Sequence, residues 1–384
     1  MEQYSFKVGP IRPPSEANSL LLQVTENCSW NRCKFCTLYK GQQFRTRPVE
    51  DIKNDIDVMA KYRDMILLHF DDNRIDENAL NKEFASLPSY EAKMCYQMVF
   101  TWMTRGGKQA IFLQDANTMV LRPNWLVEIA SHISKNFPEL KRITSYGRAD
   151  SLSKISPEDM KRIADAGLNR IHSGYETGSD TVLKLIEKGV TQEQEIIAGQ
   201  KVKEAGIELS IYFMPGVGGR ALSNENAVET AKVINEVDPD FVRLRTFVLR
   251  SSSPMNELLS SGDYEECTDI EKLIEIRELL ANIDPARVSG KLTSDHIINL
   301  LPGVDGYLDK DIYNMLDHID SFLALPRREQ KIYQLARRRG FPGDRKDLEN
   351  MRKIDLENIK TKVDSTSDGV EWEFLLHDYL DRYI

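Results

Sequence analysis

The chain has 384 residues, 41% of them hydrophobic and 29% charged, and a net charge of −9. That length can bury one large core with an appendage, or two domains. The acidic balance argues against a general nucleic-acid binder, no stretch approaches the ~20 apolar residues of a membrane span, and five cysteines with three clustered do not make a disulfide framework.

Residues 1–18 carry Gly9-Pro10-Ile11-Arg12-Pro13-Pro14 and read as an extended lead, because proline restricts both itself and the residue before it. The N-terminus lacks a secretory pattern. An apolar run at 19–25 reads as a buried first strand. Pro48, followed by Glu50 and Asp51, opens a helix whose apolar positions Ile52, Ile56, Met59 and Ala60 recur at helical spacing. Residues 62–108 read as an apolar helical insertion closed by Gly106-Gly107.

The pattern then alternates. Strands are predicted at 110–113, 142–146, 170–173, 208–213 and 241–245. Helices fall between them at 123–136, 157–166, 179–188, 192–205 and from Ser223 to residue 236, with Ser156 and Ser223 as caps and Gly167, Gly189 and Gly206 as stops. Counting the first, six strands in repeated βα units give a parallel sheet with helices outside, as an open sheet or a partial barrel. Ligands of either architecture sit at the carboxyl ends of the strands. The notable turns fall there: the loop after the first strand, Gln114-Asp115, Gly147-Arg148, Gly174-Tyr175-Glu176, Met214-Pro215-Gly216 and Thr246 onward. Beyond about 250 the alternation stops. Helices are expected at 270–282, 310–325, 327–339 and 347–362, with a loop-rich linker at 289–306 carrying Ser294-Asp295-His296. The organisation expected is a lead (1–18), an α/β domain (19–250) and a mainly helical C-terminal region (251–384).

The loop after the first strand reads Cys28-Ser29-Trp30-Asn31-Arg32-Cys33-Lys34-Phe35-Cys36. Three thiols this close suit a thiophilic metal or cluster. Tetrahedral zinc normally takes a fourth protein ligand, and none lies nearby. Three cysteines and an open position suit a [4Fe–4S] cluster with one free iron; zinc or incidental core thiols are the alternatives. Cys95 is expected in the core. Cys267, beside Glu265, Glu266 and Asp269, is expected to be inert.

The three cysteines after the first strand, together with the βα series, resemble the radical S-adenosylmethionine (SAM) superfamily over roughly residues 15–255. The cysteine gaps are four and two residues, where three and two is usual, and Phe35 matches the aromatic before the last cysteine. The branch that looks most similar contains elongator-, methylthiotransferase- and coproporphyrinogen-oxidase-like enzymes. Ile171-His172-Ser173-Gly174-Tyr175-Glu176-Thr177-Gly178-Ser179-Asp180 looks like its signature after the fourth strand, and Met214-Pro215-Gly216 like its turn after the fifth. The superfamily's second-strand glycine motif is replaced by Leu113-Gln114-Asp115-Ala116-Asn117.

The resemblance implies a partial (β/α)6 barrel, a [4Fe–4S] cluster on Cys28, Cys33 and Cys36, and SAM bound beside it. Asp115 is then the acceptor for the SAM ammonium, or a turn-stabilising Asp. Glu176 is a partner of the ribose hydroxyls, or an early-helix acid. Lys188 meets the SAM carboxylate, or is a C-terminal helix cation. Arg148 binds the same carboxylate or an anionic substrate. Met214 and its glycine admit the adenine, and Phe35 shields the cluster.

Arg243 and Arg245 face one side of the last strand, where they suit an anionic substrate or form internal salt bridges. His296 is an acid/base candidate or a structurally bonded histidine. The expected function is radical chemistry on a small anionic metabolite, in the cytoplasm, with a one-electron donor such as flavodoxin or ferredoxin. Modification of tRNA or a protein side chain through the basic stretch 327–346 is the second reading. A non-catalytic iron–sulfur or zinc sensor is the third.

Overall fold

The computed structural model describes residues 3–71, 74–106 and 108–380. They form two compact units, one of residues up to 29, 41–173 and 200–208, the other of 30–40, 174–199 and those from 209 onward.

The first unit is built on parallel strands β1 (Leu20–Gln23), β2 (Ala110–Gln114), β3 (Arg142–Tyr146) and the start of β4 (Leu168–Glu176). Leu20 pairs with Ile111, Ala110 with Arg142 and Ser145 with Ile171, all in parallel register. Every residue of β2 is buried, which is why it reads as an unbroken apolar run rather than an alternation. Helix Pro157–Asp165 begins as predicted, with the Ser156 hydroxyl accepting from Asp159 N at 3.1 Å. The helix opened by Pro48 is longer than expected, Val49–Leu67, so it absorbs the first residues of the predicted insertion. The rest of that insertion includes two short antiparallel strands (Phe70–Asp71 paired with Arg74–Ile75) and helices Glu77–Ser86 and Tyr90–Thr104. Of its predicted closing pair, Gly107 lies outside the described residues.

The proline-rich lead is stitched down rather than loose. Gly9 N donates to Gln114 Oε1 at 2.8 Å, and Gln114 Nε2 donates to the carbonyls of Gly9 and Ile11. Glu16 is fully buried beside His172 (3.1 Å) and Arg142 (3.3 Å). Burial pushes its carboxyl up, but the bonds from His172 and Ser19 and the charge of Arg142 outweigh that and hold it at about 2.

The second unit carries β5 (Glu208–Phe213), β6 (Phe241–Leu244), β7 (Lys291–Thr293) and β8 (Gly306–Tyr307). The first three are parallel, and β8 runs antiparallel to β7. The eight strands follow one another in sequence order in a mostly parallel sheet, the α/β class the alternation predicted. β7 corrects the expected linker at 289–306. With a single apolar residue, Leu292, it has no strand signal of its own and is defined by pairing with β6. Ser223 is not a cap. Its helix starts four residues earlier (Gly219–Val237), and its hydroxyl bonds Glu275 at 2.6 Å.

Beyond β6 come helices Asp269–Ala281, Ile312–Leu323, Arg327–Arg338 and Lys353–Asp364 near their expected places, and an additional Val370–Leu380. Trp372 and Leu376 of that last helix pack with Ile332, Leu335, Ile359 and Val363 in a satellite core. The basic stretch divides: Arg328, Arg339, Arg345 and Lys346 are exposed, whereas Lys331, Arg337 and Arg338 are buried. Arg338 makes a bidentate, fully buried pair with Asp269 (2.6 and 3.0 Å), Arg337 donates to the carbonyls of Ile297 and Asn299, and Lys331 to that of Thr366. Among the described residues, no helix is long and apolar enough to cross a membrane.

Candidate functional site

Cys28, Asp115 and Arg148 belong to the first unit. Asp115 follows β2 directly and is fully buried; its N–H donates to the Thr25 hydroxyl at 3.3 Å. Arg148, one turn after β3, is buried and pairs through Nε with Asp150 at 2.9 Å. Asn117 was not singled out from the sequence, yet it ties this region together. Its amide donates to the hydroxyls of Ser29, beside Cys28, and of Ser151, each at 2.9 Å, and its oxygen accepts from Arg148 N at 3.0 Å. A fully buried amide with three good bonds fixes backbone on both sides of it. The available signal was its place two residues past the strand-end Asp.

Cys33, Phe35 and Cys36 belong to the second unit with Glu176, Lys188 and Met214. Here the predicted residues meet. Glu176 is the last residue of β4, with φ of 68°, at the strand end where it was expected and not in the first turn of a helix. Lys188 is likewise not a helix cation: the helix stops at Leu185, and Glu187 (φ 51°) turns the chain back. The turn brings Lys188 Nζ to 3.0 Å from Glu176 Oε1, both side chains nearly buried. A side chain at Gly174 would strike this pair. Lys188 Nζ lies 5.5 Å from the centre of the Phe35 ring, a cation–π distance. Met214 N donates to the Glu176 carbonyl at 2.8 Å. Phe35 and Met214 both pack on an apolar cluster that includes Val182, Ile186, Val217 and Phe247.

The wide first gap of the cysteine motif has a structural role. Lys34 N donates to the Ile186 carbonyl at 2.9 Å, Lys34 Nζ pairs with Glu187 at 3.1 Å, and Trp30 Nε1 donates to the Glu187 carbonyl at 2.8 Å. Arg32 stacks over the Trp30 ring at 5.0 Å. Gly189 has φ of 69°, and a Cβ there would run into the same ring. The wide gap thus holds a tryptophan that clips the cysteine loop to the turn presenting Lys188.

The Met214-Pro215-Gly216 turn is held by a second missed residue, Glu275. Its carboxylate accepts from Gly216 N at 3.0 Å, Asn226 Nδ2 at 2.6 Å and the Ser223 hydroxyl, and Tyr264 OH donates to the Gly216 carbonyl at 3.0 Å. Burial pushes Glu275 up to about 7 even though these donors favour its ionised form. Nothing in a lone Glu of an amphipathic helix announces that role.

Arg243 and Arg245 also meet, around Asp295. Arg243 Nη1 reaches Asp295 Oδ2 and Arg245 Nη1 reaches Oδ1, both at 2.6 Å. Arg243 Nε donates to Ser210 at 3.0 Å, and the Arg245 guanidinium lies over the Tyr212 ring at 4.9 Å. Burial pushes Asp295 up, but the two guanidiniums prevail and hold it below the usual carboxylate range. Next to it, His296 is pushed down to about 4, by burial first and then by Arg245, so it is neutral at pH 7. Cys95 sits in the core against the Phe6 backbone (3.4 Å). The Cys267 thiol is pushed up to about 12, by burial first and then by Glu275.

Among the described residues, no group of three or more His, Cys, Asp or Glu side chains is already gathered as a metal site. The fit of the three thiols to a cluster therefore rests on donor chemistry. They are soft, closely spaced, and leave one iron position open; Cys33 is buried, Cys28 and Cys36 half-buried.

Residues 96–231 match the model of the Radical SAM superfamily. That span includes Asp115, Arg148, Glu176, Lys188 and Met214, and begins after the cysteine loop. Among curated proteins, the chain is 24% identical over 129 residues to the tRNA uridine(34) acetyltransferase of Methanocaldococcus jannaschii, covering 33% of this chain and 24% of that protein. It is 28% identical over 188 residues to the biotin synthase of Clostridium botulinum, covering 48% and 56%. The chain thus spans about a quarter of the first and just over half of the second. Among solved structures, methylornithine synthase aligns at 13% identity and a TM-score of 0.42, covering 89% of this chain and 86% of that one. Residues 96–231, about a third of the chain, thus carry the features of the radical SAM superfamily, whose members use a [4Fe–4S] cluster and SAM.

Proposed function

We propose that the chain holds a [4Fe–4S] cluster through Cys28, Cys33 and Cys36, binds SAM, and directs hydrogen abstraction from a small anionic metabolite. When bound, the cluster and SAM supply methionine and a 5′-deoxyadenosyl radical by one-electron cleavage of a C–S bond, the electron coming from a donor such as flavodoxin or ferredoxin. The observation that carries this reading is the meeting of Phe35, Glu176, Lys188 and Met214, with the cysteine loop clipped to the same turn through Lys34 and Trp30.

Glu176 would accept from the ribose hydroxyls, exchanging part of its bond to Lys188. Lys188 and Arg148 would meet the SAM carboxylate and Asp115 its ammonium. The Met214–Gly216 turn, kept open by a glycine with φ of 85°, would admit the adenine. Phe35 would keep water from the cluster edge. A non-catalytic sensor has no use for this set. A tRNA substrate, which the name of one relative suggests, is less favoured because several cations of 327–346 already have acidic partners within the chain: Arg338 with Asp269, Arg328 with Asp364, Arg327 with Asp368. The oxygen-labile cluster suits a reducing cytoplasm.

The test is product analysis. Anaerobically reconstituted protein given dithionite and SAM is expected to release 5′-deoxyadenosine, and C33A to release none. Reconstituted protein that neither binds nor cleaves SAM would overturn the reading.

A further inference from the structure

The Arg243–Asp295–Arg245 group has one feature that an internal salt bridge does not explain. Both carboxylate oxygens of Asp295 are taken, one by each guanidinium. Arg245 spends Nη1 on Asp295 and on the Leu244 carbonyl at 2.9 Å, while its Nη2 is buried with no acceptor. His296 Nδ1 is also buried with no partner. A buried N–H left without an acceptor is costly, more so at a charged group, so such an arrangement favours an incoming oxygen. The charges point the same way. Two guanidiniums and one carboxylate leave one net positive charge, and His296 adds none at pH 7 because it is pushed down to about 4.

The group lies at the carboxyl ends of adjacent strands. Arg245 follows the carboxyl end of β6, His296 follows that of β7, and Tyr212, whose ring lies under Arg245, is next to last in β5. Three adjacent parallel strands therefore deliver the group to the end where parallel α/β folds bind ligands.

We propose that Arg245 Nη2 and His296 Nδ1–H form the anchor for a carboxylate on the substrate, with Asp295 as a built-in counter-ion that aligns both arginines. This rests on the preceding reading that the chain acts on a small anionic molecule, and it names the anion. Two single donors match the two oxygens of one carboxylate, and a net charge of plus one matches a monoanion better than a phosphate dianion. A neutral imidazole can carry its proton on Nδ1 once an acceptor is present.

The experiment uses cluster-loaded protein under anaerobic conditions. Acetate is titrated against chloride at constant ionic strength, and the unfolding midpoint is followed by calorimetry. Wild type is expected to show a saturable rise. R245Q and H296A are expected to need at least about tenfold more acetate, roughly 1.4 kcal/mol, with R245K intermediate. D295N, which frees a guanidinium hydrogen-bonding position, is expected to need less. If R245Q does not fold, H296A and D295N still give opposite signs. Equal responses in all proteins would mark screening by an adventitious ion only, and no response in wild type would mean no site; either overturns the proposal. Inorganic phosphate outcompeting acetate would overturn its carboxylate assignment. SAM cleavage is measured in the same preparations. Protein that cleaves SAM but shows no Arg245-dependent acetate effect rejects this anchor alone. Protein with the acetate effect but no SAM cleavage rejects only the preceding reading.

Discussion

Glu275 shows how one side chain can govern a turn that it does not belong to. Its three donors, Gly216 N, Asn226 and Ser223, reach it from the turn and from the following helix. Replacing it with alanine would leave all three without their acceptor. Its folded-state value of about 7 lies above the ordinary 4.5. The folded protein therefore holds that proton more tightly than the unfolded chain does. The resulting stabilisation is complete below about pH 4.5 and is lost as pH rises through about 7. E275Q is isosteric and does not titrate. The stability of wild type minus that of E275Q, from urea unfolding, is expected to fall by about 2 kcal/mol between pH 5 and pH 8. A difference that does not change with pH would contradict a Glu275 whose proton affinity is raised by burial.

At the scale of elements, the cysteine loop and the turn after helix Asp180–Leu185 act as one clip. Trp30 lies where any Cβ on residue 189 would go. G189A must therefore both move that ring and hold a positive φ, at about 2 kcal/mol. It is expected to incorporate less iron than wild type on reconstitution, and adding W30A should restore part of it. Full iron loading in G189A would show that the clip does not hold the thiols. Helix Arg327–Arg338 offers a second test. R338M leaves Asp269 buried without its partner and is expected to cost about 3–5 kcal/mol in denaturant unfolding, whereas R328A, at an exposed pair, should leave stability unchanged. Comparable losses in both would contradict the buried-anchor role.

These elements also show what could be read from the sequence. The unbroken apolar run of β2 declared a central strand, since a strand covered on both faces has only one pattern to show. Lys291–Thr293 declared nothing, because a three-residue strand is defined by its neighbour. The basic stretch misled for a related reason: charge in a sequence does not say where its counter-charge lies, and Asp269 is 69 residues from Arg338. In the site, the residues matching a local motif (Glu176, Lys188, Met214, Phe35) were legible and do meet. Asn117, Glu275 and Asp295 were not, because each works through partners distant in the chain.

For the molecule as a whole, the three thiols matter only if they hold a cluster that SAM can reach. The donor set, the clip and the Glu176–Lys188 pair all bear on that one event. Electron paramagnetic resonance of the anaerobically reconstituted, dithionite-reduced protein, with and without SAM, measures it directly. A reduced [4Fe–4S] signal whose line shape changes on adding SAM is expected, with the change lost in K188M and the signal itself lost in C28A, C33A and C36A. A cluster signal indifferent to SAM, or one that survives loss of any of the three cysteines, would contradict it.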